Sequence, residues 1–253
     1  MNKNINFYHF LDHTFLKTQK DGFSPHKQKK SIEKLSLEAN KFDVAAVCVR
    51  PWQLQNTLAG RKELHGQYKI ATAHALFPFH QMTSYQKIKE IEIALQEGSE
   101  EIDFLIPLES VLRGQFNSLY LEVSSLHELV GRKTLKIIFE TAALTEELKK
   151  KAIETVVSAL QKNSDKKEEG LRFLKTSTGY FKEPYTIDQL AHDLHLFHYF
   201  SKGRYSLKPS GGIRTNQQIM KLLALCPFLD LTPNKFRIGS GSLIAQKATL
   251  MHY

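Results

Sequence analysis

Short apolar segments alternate with longer amphipathic segments along most of this 253-residue sequence. Eight apolar runs are present, at 7–14, 44–49, 69–76, 101–107, 134–140, 171–176, 205–209 and 236–239. Helical spacing of apolar residues is clear between several of them, at 24–41, 84–98, 144–161, 186–200 and 215–225. This alternation is typical of parallel strands joined by crossover helices. Eight such repeats in about 250 residues predict one α/β domain over residues 1–253, a single (β/α)8 TIM barrel.

An open, doubly wound parallel sheet is the main alternative, because it also alternates strands and helices. Such a sheet usually carries a glycine-rich, phosphate-binding turn directly after its first strand. The first run ends with Leu-Asp-His-Thr at 11–14, and no turn of this kind follows it. The sequence therefore favours the closed barrel. The charged segment 163–170 precedes the sixth run, which places it at the end of the barrel away from the expected catalytic face.

Composition narrows the expected partners and location. No apolar run approaches the ~18 residues that span a membrane, so no membrane partner is expected. The net charge is +9, but the basic residues are spread along the chain, which argues against nucleic acid and suits a small phosphorylated substrate. The first residues lack the apolar core of a signal peptide, and the two cysteines, Cys48 and Cys226, are too few for a disulfide framework. A reducing cytoplasm is the expected location.

A lysine continues the sixth apolar run, and small hydroxyl residues and a glycine follow it. Because side chains alternate between the two faces of a strand, Leu171, Phe173 and Lys175 share one side. A lysine on an apolar face is desolvated, which is expected to lower its pKa. The alternative is a lysine that extends from the end of the strand to the surface.

Polar residues lie at or near the ends of several predicted strands, where barrels place their catalytic groups: Asp12, Asp103, Lys175 and Lys208. Lys175 and Lys208 are 33 residues apart, close to one strand–helix–strand repeat, which predicts neighbouring strands. Two ammonium groups ~4.8 Å apart repel, so one loses its proton more easily. A neutral amine can form a Schiff base with a carbonyl, which needs neither a metal nor an organic cofactor. Asp103 can hold a proton-relaying water or keep the second lysine charged.

Glycines follow the last two predicted strands. Gly211 and Gly212 come after the seventh run, and the segment Gly-Ser-Gly-Ser at 239–242 comes with the eighth. In such barrels these two loops commonly bind phosphate, because glycine lets backbone N–H groups approach the ligand. Either motif alone is more often a simple turn, but their positions in the predicted barrel favour a phosphate site.

Together, these motifs resemble the deoxyribose-phosphate aldolase family. The matching pieces, in family order, are Leu11-Asp12-His13-Thr14, Val47-Cys48-Val49, Glu101-Ile102-Asp103, Lys136-Ile137-Ile138-Phe139-Glu140-Thr141, Lys175-Thr176-Ser177-Thr178-Gly179, Lys208-Pro209-Ser210-Gly211-Gly212-Ile213-Arg214-Thr215 and Arg237-Ile238-Gly239. The blocks at 175–179 and 208–215 are the most specific. The resemblance implies reversible cleavage of 2-deoxy-D-ribose 5-phosphate to D-glyceraldehyde 3-phosphate and acetaldehyde, in deoxyribonucleoside catabolism.

The resemblance also implies roles for individual residues. Lys175 is expected to be the Schiff-base lysine, Lys208 the neighbour that lowers its pKa, and Asp103 the proton-relay carboxylate. Asp12 and Lys136 are expected to be supporting polar groups. The residues expected to hold the substrate phosphate are Gly179, Gly211, Gly212, Gly241 and Ser242.

Several further side chains lie near the predicted site. Thr176, beside the predicted Schiff-base lysine, is expected to support the pocket. Cys48 can line the pocket from the second strand, although a buried, unreactive thiol is the favoured interpretation. His13, His74 and His80 are interpreted as polar lining rather than metal ligands, because no carboxylate stands at ligand spacing.

Three features depart from the family pattern. Many members have two adjacent serines where this chain has Gly241 and Ser242, which removes one hydroxyl from the expected phosphate site. The loop 76–81 lacks the glycine common after its Phe-Pro-His part, so its shape is expected to differ. In some relatives a terminal tyrosine on a mobile tail assists proton transfer. Here Tyr253 directly follows the last predicted helix, and the sequence leaves its participation open.

Two other functions stay open at this point. The same residues can serve an aldolase that acts on a different phosphorylated sugar. A barrel without catalysis that binds nucleic acid or a protein is less consistent with the sequence, because Lys175, Lys208 and Asp103 are all present. Barrels of this kind often pair through outer helices, so a homodimer is an expectation, although no patch in the sequence identifies the interface.

Overall fold

The computed structural model describes residues 5–75, 82–162, 171–181 and 185–244. Its centre is a sheet of eight strands, in which every described pairing is parallel. The strands are β1 (Leu11–Phe15), β2 (Ala46–Val49), β3 (Lys69–His74), β4 (Glu101–Leu105), β5 (Thr134–Ile138), β6 (Arg172–Lys175), β7 (Ser206–Lys208) and β8 (Ile238–Ser240). Each strand overlaps the apolar run that predicted it and is shorter than that run. The first run, for example, begins with a 3-10 turn that buries Tyr8 and Phe10.

The strands follow one another around a barrel. Their order is β7-β6-β5-β4-β3-β2-β1-β8, so neighbours in the chain are neighbours in the sheet. Two isolated parallel bridges, Leu207 to Phe236 and Ser210 to Gly239, join the two ends of this row. The prediction of a (β/α)8 barrel is therefore confirmed. An open doubly wound sheet does not fit, because its two edge strands would be unpaired.

Helices surround the barrel and connect its strands. Those in the described residues are α1 (Pro25–Phe42), α2 (Leu54–Glu63), α3 (Ser84–Gln96), α4 (Leu108–Leu112), α5 (Phe116–Val130), α6 (Glu146–Gln161), α7 (Ile187–Ser201) and α8 (Asn216–Leu225). In α3, α6, α7 and α8 a threonine directly before the helix accepts a hydrogen bond from the backbone N–H three residues later. This bond satisfies a donor that has no partner within the first turn, and each of these four helices begins within two residues of the predicted start. No described helix combines the length and the apolar character needed to cross a bilayer.

The helices α2, α4 and α5 lie outside the five predicted helical segments. The helix α2 buries Leu54 and Thr57 but few other side chains, so its sequence carries little helical periodicity. The helix α5 buries Leu119, Val123 and Leu126 at helical spacing, and this pattern was predictable.

The interior of the barrel differs from the rest of the core. Between strands and helices lie buried apolar side chains, such as Ile91 of α3 and Val156 of α6. Inside the barrel, by contrast, lies a charged cluster, composed of Asp12, Glu101, Asp103, Lys136, Lys175, Lys208 and Arg237. Barrel interiors are normally filled by branched apolar side chains. Burying charges is costly unless they are paired, so this cluster indicates a functional site.

Candidate active site

Lys175 and Lys208 lie side by side at the carboxyl ends of β6 and β7. Their Cα atoms are direct partners in the register of the two strands, as their separation of one repeat predicted. Both ammonium groups donate a hydrogen bond to the same atom, Oδ2 of Asp103, at 2.7 Å in each case. The two nitrogen atoms are therefore no more than twice that distance apart. The structure brings together the three residues predicted to be catalytic.

The two predicted supporting residues, Asp12 and Lys136, lie directly beneath this trio. Asp12 Oδ2 accepts hydrogen bonds from Lys136, at 2.6 Å, and from Lys208. The Lys136 ammonium group also lies 2.5 Å from Glu101 Oε2 and 3.2 Å from Asp103 Oδ1. Lys136 is thus held by three carboxylates at once.

Glu101 and Arg237 complete the charged cluster, although the sequence did not single them out as site residues. Arg237 donates from Nη1 to Asp12 Oδ1 at 2.8 Å and from Nη2 to Glu101 Oε1 at 3.2 Å. Both side chains are buried. The signal that could have found them is the one that found Asp103, namely a charged residue inside an apolar strand run.

The buried charges keep one another ionised. Burial alone would raise the pKa of Asp103, but the charges of Lys136, Lys175 and Lys208 outweigh it and hold that pKa well below its usual range. Burial likewise favours the neutral form of Lys136, yet its three carboxylate neighbours raise its pKa well above the usual value. Asp103 is therefore anionic and Lys136 is a cation at neutral pH.

Lys175 and Lys208 differ in proton affinity in a direction that the sequence did not predict. Burial lowers the pKa of Lys208, and the charges of Lys136 and Lys175 add to this effect, which Asp103 and Asp12 offset in part. Burial also favours a neutral Lys175, but the Asp103 carboxylate outweighs it and raises the pKa of Lys175. The expectation of a lowered pKa on Lys175 is therefore wrong, because it assigned the charge of Asp103 to the second lysine and not to Lys175 itself.

The two amines form one titrating unit, because they share a hydrogen-bond acceptor. Lys208 gives up its proton more readily, so it is the first of the two amines to become neutral as the pH rises. Since both ammonium groups donate to Asp103 Oδ2, a proton can pass from Lys175 to Lys208 with little movement of either side chain. The prediction that crowding leaves one amine neutral thus applies to the pair rather than to Lys175 alone.

A cavity of about 570 Å³ opens beside the carboxyl ends of the strands. Lys175 lines this cavity, whereas Lys208 and Asp103 lie behind it and are 0% exposed. All the residues predicted to hold phosphate line the same cavity, and we call them the phosphate loops: Gly179, Gly211, Gly212, Gly241 and Ser242. The structure therefore places the predicted Schiff-base lysine and the predicted phosphate site in one compartment.

Three of the phosphate-loop glycines adopt a left-handed backbone. The φ angles of Gly179, Gly211 and Gly212 are 80°, 91° and 77°. Residues with a Cβ atom rarely adopt these values, so glycine is required for the shape of both loops. Consecutive N–H groups in turns of this kind form concave sites for anions.

Gly241 is fixed by a different constraint. A Cβ atom at this position would lie 2.6 Å from the backbone oxygen of Thr14. The backbone at the end of β1 and the loop after β8 approach each other too closely for a side chain here. The close approach of the Thr14 backbone thus accounts for the glycine that replaces the serine common in the family it resembles.

Glu140, which the sequence did not mark as functional, anchors the loop after β6. Its buried carboxylate accepts hydrogen bonds from the hydroxyl groups of Ser177 and Thr178, and from the Thr178 backbone N–H at 3.2 Å. Glu140 itself has a φ of 51°, a backbone conformation that is unfavourable for a residue with a side chain. Its position at the end of the fifth apolar run was the available signal.

Thr176 and Cys48 support the site without lining the cavity. The Thr176 hydroxyl donates to the Ser210 carbonyl and accepts from the Ser210 N–H, both at 2.9 Å, which ties the loop after β7 to the end of β6. Cys48 is fully buried near the charged cluster, and burial raises its pKa to about 11. Its thiol is protonated at neutral pH, as expected of the unreactive interpretation.

Basic side chains that the sequence did not single out also line the cavity. They are Lys17, Lys34 and Arg214. The Lys17 ammonium group lies 5.0 Å from the centroid of the Phe23 ring, in cation–π contact. These cations add positive charge to a cavity whose lining also contains Asp21 and Glu38.

His13 and His74 each pair with a carboxylate from a helix. His13 Nε2 lies 2.9 Å from Glu38, and His74 Nδ1 lies 2.8 Å from Glu90. The sequence argument had found no carboxylate near these rings, because the partners come from later helices. His13 lines the cavity as predicted, whereas His74 is fully buried and does not line it. Within the four described ranges, no group of three or more His, Cys, Asp or Glu is placed to hold a metal ion.

Several predictions fall outside the described residues. These concern the loop 76–81 with His80, the charged segment 163–170, and the terminal Tyr253.

The chain is similar to known proteins over most of its length. It is 33% identical over 223 residues to the deoxyribose-phosphate aldolase of Crocosphaera subtropica. The aligned residues cover 88% of this chain and 89% of that protein. No protein-family model matches the sequence.

Solved structures share the fold. The structure of QR15, an aldolase, covers 98% of both chains with a TM-score of 0.74 and 25% identity. A deoxyribose phosphate aldolase from Aeropyrum pernix, described as a tetramer, covers 96% of this chain and 92% of its own, with a TM-score of 0.69 and 20% identity. These likenesses agree with the barrel derived above.

Proposed function

This chain belongs to the deoxyribose-phosphate aldolase family, and from that premise we propose that it cleaves 2-deoxy-D-ribose 5-phosphate reversibly to D-glyceraldehyde 3-phosphate and acetaldehyde. The reaction is that of a carbon–carbon lyase and proceeds through a Schiff base on a lysine. Its place is in the breakdown of deoxyribonucleosides.

One arrangement carries the proposal for the site. Lys175 lines the cavity and shares Asp103 Oδ2 with the buried Lys208. The amine that bonds to the substrate must be accessible, whereas the group that takes its proton must be close but can be buried. Lys175 and Lys208 meet these two requirements in that order.

The first step is attack of the Lys175 amine on C1 of the open-chain sugar. Since Asp103 favours the protonated form of Lys175, this proton passes through Asp103 Oδ2 to Lys208 when Lys208 is in its neutral form. The amine then forms a C–N bond, and the aldehyde oxygen becomes a hydroxyl group. A proton returned from Lys208 lets that hydroxyl leave as water, which yields the protonated imine.

The protonated imine then accepts electrons from the C2–C3 bond. A base removes the proton of the C3 hydroxyl, the C2–C3 bond breaks, and C3 becomes the carbonyl carbon of D-glyceraldehyde 3-phosphate. The electron pair passes into an enamine over C1 and C2. Protonation of C2 and addition of water to the imine release acetaldehyde and restore Lys175. We assign the C3 hydroxyl proton to Asp103, which lies behind the cavity and acts through a water molecule.

We assign the phosphate group of the substrate to the phosphate loops. These loops line the same cavity as Lys175, and two of them have glycines with left-handed backbones. Lys17 and Arg214 line the cavity as well and add positive charge. Binding at this end fixes the position of the phosphate in the cavity, which places C1 against the Lys175 amine.

Trapping with borohydride tests the proposal, because borohydride reduces a protonated imine to a stable secondary amine. With 2-deoxy-D-ribose 5-phosphate present, peptide mass spectrometry should find the adduct on Lys175, and a coupled assay should detect triose phosphate. Lys175→Leu should abolish both. Lys221→Leu is the matched control, because Lys221 has a 53% exposed side chain and does not line the cavity.

An adduct on another lysine would refute the assignment of Lys175. Faster cleavage of a different sugar phosphate would refute the assigned substrate while keeping the chemistry. Trapping and the coupled assay are both run with several sugar phosphates at equal concentration, so the two results are obtained on the same set of compounds.

We further propose that residues 1–253 form one domain, that the protein works in the cytoplasm, and that it forms a homodimer. Cys48 and Cys226 are both free and buried, as expected in a reducing compartment. Sedimentation velocity tests the assembly. A tetramer, the assembly described for the Aeropyrum pernix protein, would replace the dimer in this proposal.

A further inference from the structure

The charged cluster inside the barrel is buried and does not balance in charge. None of its members is more than 5% exposed. It contains three carboxylates and four basic groups, so its net charge is +1 when every group is ionised. An uncompensated buried charge is costly, and loss of one proton from a lysine removes it.

In the described residues, each strand except β3 contributes a titratable or charged side chain to this layer, from the strand itself or, for β8, from the residue directly before it. The groups are Asp12 from β1, Cys48 from β2, Glu101 and Asp103 from β4, Lys136 from β5, Lys175 from β6, Lys208 from β7 and Arg237 just before β8. On β3, the residue in register with Asp103 is Ala73, which carries no charge. The Cys48 thiol is protonated at neutral pH, so it leaves the charge balance unchanged.

Few groups of the cluster can lose the proton that removes this net charge. Arg237 keeps its charge at all ordinary pH values. Lys136 contacts three carboxylates, so its neutral form would leave the most negative charge without a partner. The proton is therefore lost from Lys175 or Lys208.

We infer that Glu101 and Arg237 set the number of protons held by the Lys175–Lys208 pair, and that they are positioning residues for the catalytic proton. Each acts through one intermediary. Glu101 acts through Lys136, which lies 2.5 Å from it and 3.2 Å from Asp103. The inference rests on the proposed function, because the proton count matters for catalysis only if one amine must be neutral to form an imine.

Arg237 reaches the pair through Asp12. It donates to Asp12 Oδ1 at 2.8 Å, and the other oxygen of Asp12 accepts from Lys208. Neither Arg237 nor Glu101 lines the cavity, so neither can touch a substrate bound there. Their effect on the reaction is electrostatic, and its sign follows from their charges.

The two residues act in opposite directions. Removing the negative charge of Glu101 makes the interior more positive, which favours the neutral amine and moves the acid limb of the pH–rate profile to lower pH. Removing the positive charge of Arg237 moves the same limb to higher pH. Each shift should be about one pH unit or more, the order of magnitude that one charge several ångströms away produces at an effective dielectric constant of about 20.

The direction of the shifts separates this inference from a structural role. Glu101→Gln and Arg237→Gln break the same ion pair, so a purely structural role predicts the same change from both. The electrostatic role predicts opposite displacements. The double variant Glu101→Gln/Arg237→Gln loses one charge of each sign, and its acid limb should return close to that of the wild type.

The experiment measures kcat/KM for cleavage of 2-deoxy-D-ribose 5-phosphate against pH, together with the pH dependence of borohydride trapping. The acid limb of kcat/KM reports groups of the free enzyme. Arg237→Lys and Glu101→Asp are the matched controls, because they disturb the contacts but keep the charges, and their limbs should stay in place. The two Arg237 variants, Gln and Lys, test the inference by themselves if a Glu101 variant does not fold. The two Glu101 variants, Gln and Asp, do the same if an Arg237 variant does not fold.

The inference is overturned if the acid limbs of Glu101→Gln and Arg237→Gln move in the same direction or do not move. It is also overturned if the acid limb of the double variant lies about one pH unit from that of the wild type. A wild-type protein that releases no triose phosphate would instead refute the proposed function. The two failures are therefore distinguishable.

Discussion

Thr178 is joined twice to the carboxylate of Glu140, through its backbone N–H group at 3.2 Å and through its hydroxyl group. The two residues lie in different loops, after β6 and β5. Gly179, the first residue of the phosphate loops, comes directly after Thr178. The geometry of the proposed phosphate site therefore depends on a carboxylate that does not line the cavity.

Glu140→Gln should weaken phosphate binding more than imine formation. The amide keeps one acceptor oxygen but loses the charge, and a hydrogen bond to a charged group contributes about 1.5–3 kcal/mol. We expect KM for the sugar phosphate to rise about tenfold or more, with borohydride trapping of acetaldehyde, which has no phosphate, nearly unchanged. Glu147→Gln, at an exposed position, is the control. An equal loss with both substrates would contradict this role.

Lys208→Leu should lower the rate at neutral pH and move the pH optimum upward. The substitution removes a positive charge beside Lys175 together with the group that accepts its proton. The pKa of Lys175, which Asp103 already raises, then rises further, and each added unit lowers the neutral fraction about tenfold. Lys221→Leu, on the exposed face of α8, is the control. An unchanged pH profile would show that the amines do not share a proton.

Gly241→Ser should impair the protein although it restores the hydroxyl common in the family. The new Cβ atom would lie 2.6 Å from the Thr14 carbonyl oxygen, so one loop has to move. Overpacking of this kind costs about 1–3 kcal/mol. We expect a lower Tm and a higher KM, and Gly241→Ala should match both changes because the Cβ atom causes them. Tighter substrate binding in the serine variant alone would mean that the hydroxyl outweighs the clash.

Native protein should resist thiol alkylation at Cys48. Burial raises its pKa to about 11, so at pH 8 about one thiol in a thousand is ionised, and the side chain is 0% exposed. Iodoacetamide should label Cys48 after unfolding in denaturant but not before, as read by peptide mass spectrometry. Rapid labelling of the native protein, blocked by substrate, would place this thiol in the cavity instead.

The barrel and the trio of Lys175, Lys208 and Asp103 could be predicted from the sequence. Eight apolar runs separated by helical patterns leave few folds open, and all eight strands lie where these runs predicted them. The separation of the two lysines by one repeat placed them on neighbouring strands, and their Cα atoms are register partners. Both inferences need information from one segment or two adjacent ones, because strand periodicity and repeat length are local properties of the chain.

The proton affinities, by contrast, were decided by the tertiary structure. The lowered pKa lies on Lys208 rather than Lys175, because Asp103, 72 residues before Lys175, pairs with both amines. Glu101 and Arg237 joined the site in the same way, and Arg237 contacts Asp12 across 225 residues of sequence. A pKa depends on the distances to all nearby charges at once. Those distances exist only after the barrel has closed and brought the first and last strands side by side.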